Sequence, residues 1–206
     1  MLILAAILIA LGKAVPKLPP EVCSLLLETG IDNIATLIEE LGIKTKAIYL
    51  PSSLSSRYPR AFIPLNGNGS RPEITKALPR RLIARYGTNP EDVGLLISTI
   101  GSTAIGMLET KPGASQGELE SALTSLFAGR LGIADSARVV CQNSHIKIEI
   151  QKPRLENSIA WSHQCLGNPM ATVVASVAAE AWDKPVRVNL EEQKNGSYFI
   201  ELEVYN

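Results

Sequence analysis

The stretch Asn168–Pro185, NPMATVVASVAAEAWDKP, constrains the fold more than any other part of the chain. Asn168 is a good N-cap, and Pro169 fits the first helical position, where its missing N–H costs nothing. Pro185 ends the helix. Ala171, Ala175, Ala178 and Ala179, with Ser176, allow close approach by another element. Such a helix packs against a sheet, against a symmetry mate or around a slender apolar ligand. Glu180 argues against a membrane span.

The flanking segments carry their own periods. In GELESALTSLFAGRLGI, Leu119, Leu123, Leu126, Phe127 and Leu131 recur at helical steps, and Gly132 closes the run. SARVVC, QNS and HIKIEI form a hairpin pattern in which Ile146, Ile148 and Ile150 alternate with His145, Lys147 and Glu149. VRVNLEE, QKNG and SYFIELEV form a second. There Val186, Val188 and Leu190 share one arm, and Ile200, Leu202 and Val204 alternate after Phe199. The order is helix–hairpin–helix–hairpin over residues 117–204. It predicts an α+β fold: an antiparallel sheet of hairpins with helices packed on one face, plus an apolar N-terminal helix. The regions expected are 1–18, an apolar segment; 20–115, an N-terminal α+β region; and 116–206, the helix–hairpin domain.

Residues 20–42 read as one helix or two with a break near Gly30, with Leu26, Ile34, Leu37, Ile38 and Leu41 at helical spacing and Gly42 as the stop. Cys23 there reads as a small apolar filler. KAIYLP (46–51) and RAFIPL (60–65) read as short strands around a polar loop, SSLSSRYP, and an apolar strand is expected near 93–99. NGNGSRPE (66–73) is a loop of turn residues. It lacks the lysine and the Ser/Thr order of a phosphate-binding P-loop. Arg81 and Arg85 would share a face if LPRRLIARYG were helical, and could then grip an anionic ligand or lipid head group.

The first twelve residues, MLILAAILIALG, carry no polar side chain, and Lys13 and Lys17 follow. A full hydrocarbon span takes about 20 apolar residues. Three readings are open: a short membrane anchor, a buried helix, or a secretory signal, which lacks a positive leading region. The positive flank places the body of the protein on the cytoplasmic side. The expectation is a membrane-associated protein with a cytoplasmic soluble part; the alternative is a cytoplasmic protein. Three widely spaced cysteines do not make a disulfide framework and suit a reducing compartment. With 20 basic and 20 acidic residues, the chain has no basic excess for nucleic acid.

Cys141, His145, His163 and Cys165 are the candidate metal ligands, and a zinc site would require all four to converge. Their spacing argues against it. A turn at QNS separates Cys141 from His145, His145 falls on the side opposite the isoleucines, and H-x-C is not a common chelating spacing. A Cys–His nucleophile would need an exposed low-pKa thiolate and an orienting third group, and no such group is identified. No catalytic residue, metal or cofactor is assigned. The candidate ligand-binding residues are Trp161, Cys165, Trp182, Arg81 and Arg85.

The element order over 117–204, with Cys165, Gly167 and the Ala-rich helix 170–183 in their places, resembles the 4-vinyl-reductase-type domain. That family shares its α+β fold with small subunits of the TRAPP vesicle-tethering complex. The resemblance implies a module that senses a small hydrophobic ligand or acts as a scaffold. Metal-binding members carry a cysteine pair in the last hairpin, and here VNLEEQKNGSYF has none. The expectation is therefore a non-enzymatic module for a small hydrophobic ligand or for protein assembly. One alternative is an enzyme acting on a small or lipidic substrate through region 45–115, with Arg80, Arg81, Arg85, Glu91 and Asp92 as its polar groups. Another is a structural homo-oligomer subunit.

Overall fold

A computed structural model of the chain describes residues 20–66, 72–142, 145–155 and 161–205. The apolar segment 1–18 and the centre of the loop 66–73 lie outside the described residues. By its contacts the chain divides into Met1–Glu40 and Leu41–Asn206. In the first unit α1 runs Pro20–Glu40 as one helix. Of the two readings, one helix or two with a break near Gly30, the structure has the first, since a single glycine costs a helix interior only about 1 kcal/mol.

The second unit is an α+β body. Its strands are β1 (Ile48–Leu50), β2 (Arg60–Pro64), β3 (Ile83–Arg85), β4 (Val93–Ile97), β5 (Ser136–Gln142), β6 (His145–Gln151), β7 (Val186–Lys194) and β8 (Ser197–Val204). They form one sheet in the order β3-β4-β2-β1-β7-β8-β6-β5, antiparallel at every step. The β1–β7 pairing carries the sheet across residue 115, so strands from both sides of it share one layer. Between the strands lie α2 (Ser52–Ser55), α3 (Ile100–Ile105), α4 (Gln116–Thr124), a π-helical segment (Ser125–Arg130), α5 (Trp161–Leu166) and α6 (Pro169–Trp182). Arg81 and Arg85 do not share a helix: Arg81 precedes the short outer strand β3, on which Ala84 is buried and Arg85 exposed.

Alternation decides which way the hairpins face. Ile146, Ile148 and Ile150 are buried and stand opposite Leu202, Ile200 and Tyr198 of β8. The β7–β8 turn, Asn195-Gly196, has positive φ at both residues, as the twist of a two-residue hairpin requires. One expected alternation fails. Leu190 is 54% exposed. The register slips between Val188, opposite Leu202, and Leu190, opposite Glu201, leaving Asn189 as an extra residue. This bulge reverses the faces beyond it. Leu190 turns outward, and Glu191 takes the inward position opposite Ile200.

α6 begins as expected, with Asn168 Oδ1 accepting from the Met170 amide at 2.9 Å and Pro169 in the first turn. Every residue from Met170 to Ala181 is buried. The helix lies against β1, β7 and β8 and meets α3 and α4. Gly101 of α3 permits the closest approach: a Cβ there would press into Ser176 Oγ and the Thr172 carbonyl. On the far side of β1, β2 and β4, Ile74 and Leu78 cover Ile48, Leu50, Phe62 and Leu96.

The outer strand β5 is closed by α4. Ala137, Val139 and Cys141 turn their free amides to Thr124 Oγ1, Glu120 Oε2 and Gln116 Oε1 at 3.1, 2.8 and 3.4 Å. Four residues of helix rise about 6 Å and two residues of strand about 6.8 Å. Successive side chains on one helix face therefore meet successive edge amides, and the edge is denied to another strand.

Gly101→Ala should destabilise the protein by about 2–3 kcal/mol in urea unfolding, because one of its neighbours is backbone. Gly117→Ala, where a Cβ meets nothing within 4 Å, should change stability by less than about 0.5 kcal/mol.

Candidate functional site

The connection between α5 and α6, Cys165–Asn168, is held on two sides. The Ala47 amide donates to the Cys165 carbonyl at 2.7 Å, and the Cys165 thiol reaches the Ile43 carbonyl at 3.3 Å. The Tyr49 hydroxyl donates to the Leu166 carbonyl. From the other side, Glu191 Oε2 accepts from the Asn168 amide at 3.0 Å and from the Tyr198 hydroxyl. Gly167 has φ 82°, and a Cβ there would lie 2.6 Å from Glu191 Oε1. The bulge that turns Glu191 inward is itself held, with the Asn189 carbonyl accepting from Lys46 Nζ at 2.6 Å.

The space left among Lys46, Tyr49, Cys165, Gly167 and Glu191 is about 10 Å³, room for one water at most. Burial pushes the Cys165 thiol upward, away from the thiolate a nucleophile requires. Burial, and secondarily the Glu191 charge, raises Tyr49 well above its ordinary value. Tyr198 is raised by burial, then by its hydrogen bond to Glu191 and that group's charge.

The sequence candidates do not gather here. Cys141 is on the outer strand β5, whereas Cys165 is tied beside β1. Four strand spacings separate those positions, about 19 Å, far beyond a shared metal. His163 and Cys165 stand two apart on α5 and so point in different directions. The side chains of His145 and Trp161 lie outside the described residues. Among the described residues no three His, Cys, Asp or Glu side chains form a metal-binding group. Trp182 ends α6, about 20 Å of helix from Cys165, and its Nε1 donates to the Ala114 carbonyl at 2.9 Å. Arg81 and Arg85 are exposed at the opposite sheet edge. In region 45–115, Asp92 accepts from the Asn89 amide at 2.9 Å and closes a turn.

The loop that Trp182 holds forms one wall of a cleft of about 400 Å³, a volume in the range of small-ligand sites. Met107, Leu108, Glu109 and Lys111 line that wall, and Ser121, Ala122 and Arg130 the other. Arg130 Nη2 and Glu109 Oε1, 2.5 Å apart, bridge the walls. The two side chains are 48% and 83% exposed, and a pair of that kind contributes about 0–1 kcal/mol. Lys111 Nζ lies 3.7 Å from the buried Glu180, whose carboxylate accepts from the Ser52 amide and hydroxyl, each at 2.8 Å. Ser115 and Glu118 form a capping box at the start of α4, and the Ser115 hydroxyl and amide hold the Glu118 carboxyl below its ordinary range.

This cleft escaped the sequence reading. GSTAIGMLETKPGASQ (101–116) reads as a stretch of small residues, loop-like at its end, and the apolar steps of 119–131 match an ordinary helix. The π-helical turn, in which the Leu131 amide reaches back to the Leu126 carbonyl at 2.8 Å, has no periodic signature.

Fold and cleft define an α+β protein in which an eight-stranded antiparallel sheet carries a buried central helix and a small open cleft. The chain belongs to the family described as a domain of unknown function (DUF7982), which matches residues 3–203. No curated protein and no solved structure matches it.

The two raised tyrosines that hold the Cys165–Asn168 connection give a pH dependence. A raised folded-state value means that the stability is complete below about pH 10 and is lost as pH rises through the folded-state values. In a phenolate titration, Tyr49 and Tyr198, two of five tyrosines, should deprotonate only as the protein unfolds. Tyr198→Phe should halve that late step; early titration of all five would contradict the hydrogen-bonded hub.

Proposed function

We propose that this chain is a non-enzymatic binding module that takes a small molecule with an apolar body in the cleft between residues 107–113 and α4 with its π-helical extension. The observation that carries the reading is the cleft itself: about 400 Å³ of space, with Met107, Leu108 and Ala122 on facing walls bridged by an exposed ion pair. The resemblance of residues 117–204 to small-ligand modules supports it. The buried titratable groups point the same way, since Tyr49, Tyr198, Glu180 and Cys165 all spend their polar atoms on the chain's own backbone or side chains.

Attachment to a membrane through residues 1–18, with the soluble part on the cytoplasmic side, belongs to the same proposal. It rests on the apolar run ahead of Lys13 and Lys17. Among the described residues no helix is long and apolar enough to cross a membrane. A second reading, assembly into a homo-oligomer, draws on Leu190 and Phe199. They are 54% and 37% exposed on the outward face of the β7–β8 hairpin.

The three methionines offer a direct test, because Met107 lines the cleft and Met170 is buried in α6. In methyl-labelled full-length protein held in lipid nanodiscs, 1-hexanol should shift the Met107 signal saturably and leave Met170 in place. Ala122→Trp should remove the shift with little change in unfolding temperature. A Met107 shift that never saturates, or that survives Ala122→Trp, would contradict the proposal.

A further inference from the structure

We infer that the cleft selects a ligand whose apolar body ends in a single anionic group, received by Arg130 in exchange for Glu109. The inference rests on the binding reading above. Arg130 is the last residue of the π-helical segment, a geometry that is uncommon and is retained most often at functional sites. One extra residue in the final turn alters which side chains face inward. Leu126 and Phe127 are both fully buried while Arg130 faces the cleft.

The partner of Arg130 is poorly held. Glu109 is 83% exposed, on a loop, and meets Arg130 through one oxygen and one nitrogen. A guanidinium offers a planar fork that fits a carboxylate through two parallel hydrogen bonds. A ligand carboxylate that accepts both bonds, and whose tail lies on Met107 and Leu108, gains more than the lost pair provided. The other acid of the cleft is already engaged, since Glu118 Oε2 accepts from the Ser115 hydroxyl and amide. Lys111, on the wall facing Arg130, is paired with Glu180 at 3.7 Å, which leaves Arg130 to receive the anion. Glu109 then acts as an internal competitor that keeps the cleft bridged until a better anion arrives.

Hexanoate, 1-hexanol and hexylammonium share a tail and differ in charge. Titrated into the full-length protein in nanodiscs and followed at the Met107 methyl, hexanoate should bind at least tenfold more tightly than 1-hexanol, and hexylammonium more weakly. Arg130→Gln should bring hexanoate down to the level of 1-hexanol measured in the same variant. Glu109→Gln should tighten hexanoate several-fold, and added salt should weaken hexanoate alone. Equal binding of hexanoate and 1-hexanol, or a preference that survives Arg130→Gln, overturns the inference and leaves the cleft reading standing. Failure of all three probes to move Met107 overturns both.

Discussion

The architecture depends on one carboxylate, that of Glu191. It stands on the inward face of the sheet, opposite Ile200, where alternation alone would have placed an apolar residue. A charge there is tolerable only if it is well hydrogen-bonded. Glu191 accepts from the Asn168 amide and the Tyr198 hydroxyl and lies against Gly167, so the start of α6 is fixed to the last hairpin. Tyr49 and Ala47 fix the same connection to the centre of the sheet. The bulge at Asn189 is the device that brings the carboxylate to this place.

With its start fixed, α6 sets the rest of the body. Small residues along it admit Gly101 of α3 on one side and the sheet on the other. Glu180 near its end accepts from Ser52, and Trp182 donates to the Ala114 carbonyl. The last contact positions the loop whose other end forms the cleft. Packing at the centre of the molecule is thus connected, through one helix, to the region proposed to bind a ligand.

Much of this was legible in the sequence. The cap at Asn168-Pro169, the isoleucine alternation of β6 and the Asn195-Gly196 turn are local signals, and each appears where local chemistry puts it. What was not legible depended on partners distant in the chain. The extra residue at Asn189 leaves no mark in the apolar pattern, in which Leu190 continues the alternation of Val186 and Val188. The π-helical turn before Leu131 keeps the spacing of an ordinary helix. His163 and Cys165 drew notice by residue type, whereas the group that organises their neighbourhood is Glu191, which in sequence is one glutamate of a charged pair.

That pair provides the most direct test of the central claim. Glu191 and Glu192 are adjacent, and Glu192 is exposed. Urea unfolding of Glu191→Leu beside Glu192→Leu separates an inward hydrogen-bonding role from an ordinary surface charge. The account predicts a loss of about 2–4 kcal/mol for Glu191→Leu, since two donors lose their acceptor, and a change within about 0.5 kcal/mol for Glu192→Leu. Equal, small effects at both positions would contradict it.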